Sequence, residues 1–165
     1  MSVDEDIEKV AEQERRLIFA GFGDDDAFLI GTEIRQRAKA EEKSIVVDVR
    51  LWDRPLFYAA TAGTTADNPE WVRRKTNVVR RFLRSSYAVG LEVAAGQRKF
   101  GPENGLDPID YAPHGGSFPV RVENVGVIGA VTVSGLAQRE DHELVVAVLC
   151  HHLGLDHREI ALPAG

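Results

Sequence analysis

The chain has 165 residues, 44% of them hydrophobic and 28% charged, with a formal net charge of −6. These values predict one globular domain over residues 1–165, with a core at about 24–154 and a short C-terminal tail. The acidic charge disfavours nucleic acid as a partner despite one locally basic helix, and no apolar run is long enough to span a membrane. The N-terminus lacks a signal-peptide pattern and the single cysteine, Cys150, excludes an intrachain disulfide, which together predict a cytoplasmic protein.

Two helices are predicted before the first strand. Apolar residues recur at helical spacing over residues 3–19, and a Gly-Phe-Gly sequence at 21–23 interrupts the pattern. The aspartates at 24–26 then suit the N-cap and first turn of a helix over about 25–42. Three adjacent aspartates can also bind a metal ion, but helix capping accounts for them without one.

Two β-hairpins form the predicted sheet, and each joins its strands through a short turn. The strands are predicted at residues 45–51, 56–61, 118–123 and 127–133. In the last of these both faces are apolar or small, which predicts a central strand covered on both sides. Its two faces consist of Val127, Val131 and Val133 on one side and Ile128, Ala130 and Thr132 on the other. A weaker signal near 98–100 gives a candidate fifth strand.

Two further helices are predicted between the hairpins. Asn68 and Pro69 suit the N-cap and the first position of a helix over about 69–84. A shorter helix follows over about 87–95 and ends at a glycine. Residues 97–114 are rich in glycine and proline and are predicted to be irregular.

Lys75 is the most unusual residue of the helix over 69–84. On a helical wheel it falls within an apolar stripe, while Arg74 lies on the flank of that stripe. The stripe consists of Trp71, Val78, Val79 and Phe82. In one interpretation the Lys75 stem lies on the apolar stripe while its ammonium reaches water. In the other, the ammonium faces an anionic ligand or a carboxylate in a pocket or subunit interface, and Arg74 assists from the side.

Two histidines are candidate ligand-binding residues. His114 precedes two glycines in a predicted loop, where binding residues are common, and a surface or structural role is its alternative. His142 lies in the first turn of the closing helix, which the apolar run 144–150 marks as buried on nearly every side. The helix dipole disfavours a cation there, so this imidazole is expected to be neutral, either as a ligand or as a hydrogen-bonded core residue. Asp141 is expected to cap the same helix, without facing His142.

The other histidines and the cysteine predict no metal or nucleophile site. His151 and His152 fall in the last turn of the closing helix, where the dipole favours histidine, and with His157 they match no zinc-binding spacing. Cys150 lies in the apolar run and is interpreted as a small core residue. The sequence contains no HExxH, CxxC, GxxxxGK or GxSxG motif.

Three sequence blocks resemble the signature of the UPF0303 family, which is grouped with the wider GlcG/HbpS-like, haem-degrading proteins. They read DNPEWVRRKTNVVRRFLRSS, YAPHGGSFPV and VSGLAQREDHELVV, and the similarity extends from about Glu14 to Leu153. Ala137 departs from the pattern, because proline is expected at that position. The departure weakens the predicted turn before the closing helix without changing the family.

This resemblance implies an α+β fold, with an antiparallel sheet of about five strands flanked by helices, profilin-like or PAS-like in outline. It also implies homo-oligomers and, from the label of the group, haem or a similar small anionic ligand. The candidate ligand-binding residues for that function are Arg74, Lys75, His114 and His142, because haem needs an axial ligand and cations for its propionates. Two alternatives stay open: an oligomeric interaction or scaffold protein without catalysis, and an enzyme acting on an unidentified small molecule.

Overall fold

The computed structural model describes residues 2–164, which form six α-helices, four β-strands and one short 3₁₀ turn, Pro102–Asn104. The helices are α1 (Val3–Arg16), α2 (Asp24–Ala40), α3 (Asp67–Phe82), α4 (Ser86–Ala94), α5 (Gln138–Leu153) and α6 (His157–Ile160). The strands are β1 (Val46–Leu51), β2 (Arg54–Ala60), β3 (Ser117–Val122) and β4 (Gly126–Ser134).

The four strands form one antiparallel sheet in the order β2-β1-β4-β3. β4 pairs with both β1 and β3, so the strand predicted to be central lies inside the sheet. The predicted α+β class is thereby confirmed. The candidate fifth strand is wrong, because residues 97–100 have no strand conformation. Arg98 instead forms an ion pair with Glu92 and lies over the ring of Phe82.

Helices cover the sheet on both faces. α2 and α5 pack on one face, where Val49, Phe118 and Val131 belong to a continuous buried core. α3 packs on the other face, chiefly over β3 and β4. Ile128 departs from its predicted face and packs with Val131. The reason is a bulge, since the β3–β4 register shifts around this residue and reverses the alternation of side chains.

Local signals explain most helix ends, with small shifts from the predicted ones. Ser2 and Glu5 form a capping box at the start of α1, which ends at Arg16 and not at residue 19. α3 begins two residues earlier than predicted, and Asn68 accepts a hydrogen bond from the Thr65 amide. α5 ends at Leu153, and the following Gly154 has a φ of +73°, in the left-handed region that suits glycine.

A second apolar cluster joins α1 to α4 beside the main core. Its buried residues are Val10, Tyr87, Ala88, Leu91 and Leu162. The cluster therefore connects the beginning of the chain with residues that follow the short helix α6. Across residues 2–164, no helix combines the length and the apolar character that crossing a membrane requires.

Candidate functional site

A cleft of about 420 Å³ lies between the N-terminal ends of α3 and α5. Its walls come from the start of α3, the loop before β3 and the segment that joins β4 to α5. The lining residues are Thr65, Asp67, Asn68, Trp71, Lys75, His114, Ser134, Gly135, Leu136, Gln138 and Asp141. Two of the four candidate ligand-binding residues, Lys75 and His114, therefore line the same cleft.

A buried ion pair forms part of the cleft wall. Lys75 is only 3% exposed, and its Nζ donates to Asp141 Oδ2 at 2.9 Å and to the Val133 carbonyl at 3.1 Å. Gly116 makes room for this contact, because a Cβ there would lie 2.8 Å from the Lys75 Nζ. The φ of Gly116, +136°, is also one that side chains rarely allow. Lys75 therefore faces a carboxylate and does not extend over the apolar stripe to water.

Burial shifts both members of the pair towards their neutral forms. Desolvation raises the pKa of Asp141 from 3.8 to about 6, although the charge of Lys75 opposes the shift. Desolvation likewise lowers the pKa of Lys75, against the attraction of Asp141. Both ions have lost most of their hydration. The charged state of the pair therefore depends on the short contacts between the two side chains.

Asp141 also holds the loop that leads into α5. Its Oδ1 accepts a hydrogen bond from the Leu136 amide at 3.0 Å. Leu136 precedes the N-cap residue Ala137, which has no side-chain cap, so Asp141 anchors the preceding loop and does not cap the helix amides as expected. The first turns of α3 and α5 both border the cleft. The positive ends of two helix dipoles therefore face this position, together with the carboxylates of Asp67 and Asp141, which also border the cleft.

His114 lies exposed at the cleft, next to an aromatic wall. Its ring meets Trp71 edge-to-face, with 5.3 Å between the ring centres. Partial desolvation, and then the charges of Lys75 and Arg74, lower the pKa of His114. The imidazole is therefore neutral at pH 7 and can offer a nitrogen lone pair to a metal or a proton donor.

Arg74 stands behind Trp71 and does not line the cleft. Its Cζ lies 4.6 Å from the centre of the Trp71 ring, and its Nε donates to the Pro108 carbonyl at 2.8 Å. The Ala112 amide donates in turn to the Arg74 carbonyl. Arg74 thus fixes both the aromatic wall and the irregular loop that ends at His114.

His142 is separated from the cleft and lies in the core. Its ring is fully buried, 4.8 Å from the centre of the Tyr87 ring and 5.9 Å from that of Phe118. Its Nε2 is 2.7 Å from Gln13 Oε1, and the Gln13 amide nitrogen donates elsewhere, so the His142 proton is on Nε2. Burial lowers the pKa of His142 to about 3. The residue is therefore a neutral, hydrogen-bonded core histidine.

The remaining histidines lie apart from one another, each beside a different carboxylate. His151 contacts Glu33, His152 contacts Asp26 and His157 contacts Glu143. Within residues 2–164 no group of three or more histidine, cysteine or acidic side chains is placed to hold a metal ion. Cys150 is buried, and desolvation raises the pKa of its thiol to about 11.

Sequence reasoning missed two parts of the site: the partner of Lys75 and the wall that Trp71 provides. Lys75 and Asp141 are 66 residues apart in the chain, and no periodicity relates positions on different helices. The sequence does contain two unusual positions that could have indicated this contact. They are a lysine within an apolar stripe and a carboxylate at the start of a buried helix. Opposite charges at two such positions indicate that they form a pair.

The chain is similar over most of its length to proteins of one family. A family model described as "Haem degrading protein HbpS-like" matches residues 22–150. The UPF0303 protein mlr5144 of Mesorhizobium japonicum is 54% identical over 162 residues, which covers 98% of this chain and 97% of that protein. The UPF0303 protein BCAN_A1444 of Brucella canis is 53% identical over 158 residues, 96% of this chain and 94% of that protein.

Solved structures show the same architecture. The crystal structure of Ybr137w protein has a TM-score of 0.80 and 31% sequence identity, covering 90% of this chain and 87% of that one. A PduOC:haem complex has a TM-score of 0.67 at 14% identity, covering 79% of this chain and 94% of that one, which is a likeness of fold alone. With its family model and its nearly full-length relatives, the chain belongs to the UPF0303 family, within the HbpS-like haem-degrading group.

Proposed function

We propose that this protein binds haem, or a similar flat anionic ligand, in the cleft between α3 and α5. The observation that carries the proposal is His114: it is exposed, it borders the cleft and its pKa is lowered, so a neutral imidazole is available to bind the iron. His142 has no part in the proposal, because a fully buried imidazole offers no nitrogen to a ligand in the cleft.

The residues around His114 fit such a ligand. Trp71 provides an aromatic wall beside the imidazole, and the starts of α3 and α5 favour the carboxylates. Arg74 holds this wall in place from behind. Lys75 contributes less charge than the sequence suggests, because Asp141 neutralises it. When bound, haem would supply an iron centre for redox or gas-binding chemistry, and His114 would hold it.

The family and one structural neighbour support the same ligand. The matching family model carries the description of a haem-degrading protein, and the PduOC structure, which shares the fold, is a complex with haem. Fold likeness alone does not transfer a ligand, so the weight of the proposal rests on His114 and its surroundings.

A second candidate function is an oligomeric interaction protein without catalysis. Phe28 and Leu29, adjacent in the first turns of α2, are 60% and 59% exposed. Exposed apolar side chains next to each other are typical of a protein–protein contact. This surface lies on α2 and leaves the cleft free, so the two functions are compatible.

A haemin titration followed by the Soret band tests the proposal. The wild type should bind with a saturable shift of the band, since an imidazole ligand changes the electronic state of the iron. His114→Ala should lose the shifted band. Arg74→Gln should weaken binding less severely, because Arg74 lies outside the cleft and acts by holding Trp71 and the loop that ends at His114.

His151→Ala is the matched control. It removes an exposed histidine of α5 that lies outside the cleft, so the spectrum should match that of the wild type. A broad spectrum that never saturates, or a shifted band that survives His114→Ala, would overturn the proposal. In that case the interaction function of the α2 surface becomes the better explanation of the fold.

A further inference from the structure

The cleft wall presents an amine in unusual surroundings. We propose that Lys75 forms a Schiff base with a small carbonyl compound that carries an anionic group, such as a 2-oxo acid. This activity goes beyond ligand binding at His114 and does not depend on it. The geometry that supports it is an amine and a carboxylate held 2.9 Å apart on the wall of a solvent-reaching cleft.

The position of the pair argues for a chemical role over a purely structural one. A buried ion pair contributes little to stability compared with apolar residues of the same volume. Lys75 and Asp141 are 3% and 1% exposed, yet both border a cleft and neither is enclosed in the core. Gly116 leaves room for the Lys75 Nζ beside Asp141, because a Cβ there would lie 2.8 Å from that nitrogen. The chain therefore maintains a costly pair at a place that a small molecule can reach.

The pair is arranged for imine formation. The Lys75 ammonium gives one proton to Asp141, and the free amine attacks the carbonyl carbon while the π electrons move to oxygen. The second amine proton passes to that oxygen and gives a neutral carbinolamine. Asp141 returns its proton to the hydroxyl group, which leaves as water as the nitrogen lone pair forms the C=N bond. The product is an iminium ion beside the Asp141 carboxylate, and no other reactant is needed.

The electrostatics of the pair favour the first step. Desolvation raises the pKa of Asp141 and lowers that of Lys75, so proton transfer within the pair is far easier than between the same groups in water. Buried lysines whose pKa is lowered in this way are the ones that form Schiff bases.

The rest of the cleft selects the class of carbonyl compound. Asn68 and Gln138 can donate and accept hydrogen bonds, and the starts of α3 and α5 favour a negative group. The cleft of about 420 Å³ suits a small molecule. A short carbonyl compound with a carboxylate meets these conditions, and a neutral aldehyde of the same size meets only part of them.

Reductive trapping tests the proposal without haem. The protein is incubated with pyruvate and cyanoborohydride, digested after glutamate residues and mapped by mass spectrometry. Residues 71–92 then form one peptide in which Lys75 is the only lysine. The adduct should accumulate on this peptide faster than on exposed Lys99, because a lowered pKa leaves more of the Lys75 amine unprotonated. The ratio of Lys75 labelling to Lys99 labelling should be higher with pyruvate than with acetaldehyde, because the ratio cancels the greater intrinsic reactivity of the aldehyde.

Lys75→Arg should keep the ion pair and remove the adduct from this peptide, whereas Lys99→Arg should leave labelling of Lys75 unchanged. Equal labelling of Lys75 and Lys99 in the folded wild type, or no labelling of Lys75, would overturn the proposal. The mapping is done on the wild type, so the test remains decisive even if Lys75→Arg does not fold. Haem binding at His114 is measured by a separate spectrum, so failure of one proposal leaves the other intact.

Discussion

At the scale of single residues, His142 couples stability to pH. Its pKa is about 3 in the folded protein and 6.5 when unperturbed, so the unfolded chain binds more protons throughout this interval. The contribution of the neutral imidazole is fully present above pH 6.5 and is lost as the pH falls towards 3. We expect His142 alone to reduce the free energy of unfolding by about 1.4 kcal/mol for each pH unit below 6.5.

The variant His142→Gln isolates this effect. Glutamine can still donate a hydrogen bond to Gln13 but does not titrate, so the variant should lose that part of the pH dependence. Urea unfolding at several pH values between 4 and 8 measures the difference. His151→Gln, at an exposed site, is the control and should keep the wild-type slope. Parallel slopes in wild type and His142→Gln would mean that His142 titrates normally in the folded protein.

At the scale of elements, β4 depends on the close approach of β1. A Cβ added to Gly129 would lie 1.9 Å from the Arg50 carbonyl oxygen, which is rigid backbone of the neighbouring strand. Gly129→Ala must therefore push the two strands apart, which should lower the free energy of unfolding by about 1–3 kcal/mol or more.

Gly21→Ala is the control, because a Cβ there meets nothing within 4 Å, and its effect on the free energy of unfolding should stay within about 0.5 kcal/mol. Thermal unfolding compares them, and equal midpoints would contradict the tight packing of β1 on β4.

The elements also show how far the sequence could predict this fold. The position of β4 followed from its composition, because only a strand covered on both faces carries apolar or small residues on both. The face of Ile128 was not predicted, because a one-residue bulge reverses the alternation of side chains, and the neighbouring Gly129 is only a weak sign of a bulge in the sequence. In α3 the stripe of buried residues includes Val72 and Thr76, while Trp71 and Phe82 are half-buried at its edges.

The site was predictable only in part, for a related reason. Lys75 and His114 were unusual within their own segments, and the structure places both at the cleft. His142 was equally unusual but lies in the core, because its helix faces α1 and α4 at that turn. Residues that are far apart in the chain can be in contact in the fold, and the sequence does not show which ones are. Unusual residues are therefore easier to identify from a sequence than the residues they contact.

At the scale of the whole molecule, the basic face of α3 serves the fold. Arg73 pairs with Asp110, Arg74 donates to the Pro108 carbonyl and Arg81 donates to the Gly105 carbonyl. These contacts hold the irregular segment 97–114 against the helix and so position His114. A helix that looks basic in the sequence thus uses much of its charge within the chain, which agrees with the acidic balance of the whole protein.

The whole molecule is also expected to assemble. Phe28 and Leu29 form an exposed apolar surface on α2, and a stable contact between copies should bury more than about 1,000 Å². Light scattering at micromolar concentration should give a multiple of 18.2 kDa. Leu29→Glu should lower this mass, because it places a charge in the contact.

Ile109→Glu is the matched control, at a 72% exposed position on the segment over α3, and it should leave the mass unchanged. A wild-type mass of 18.2 kDa would contradict assembly, and an oligomer that survives Leu29→Glu would place the interface away from α2.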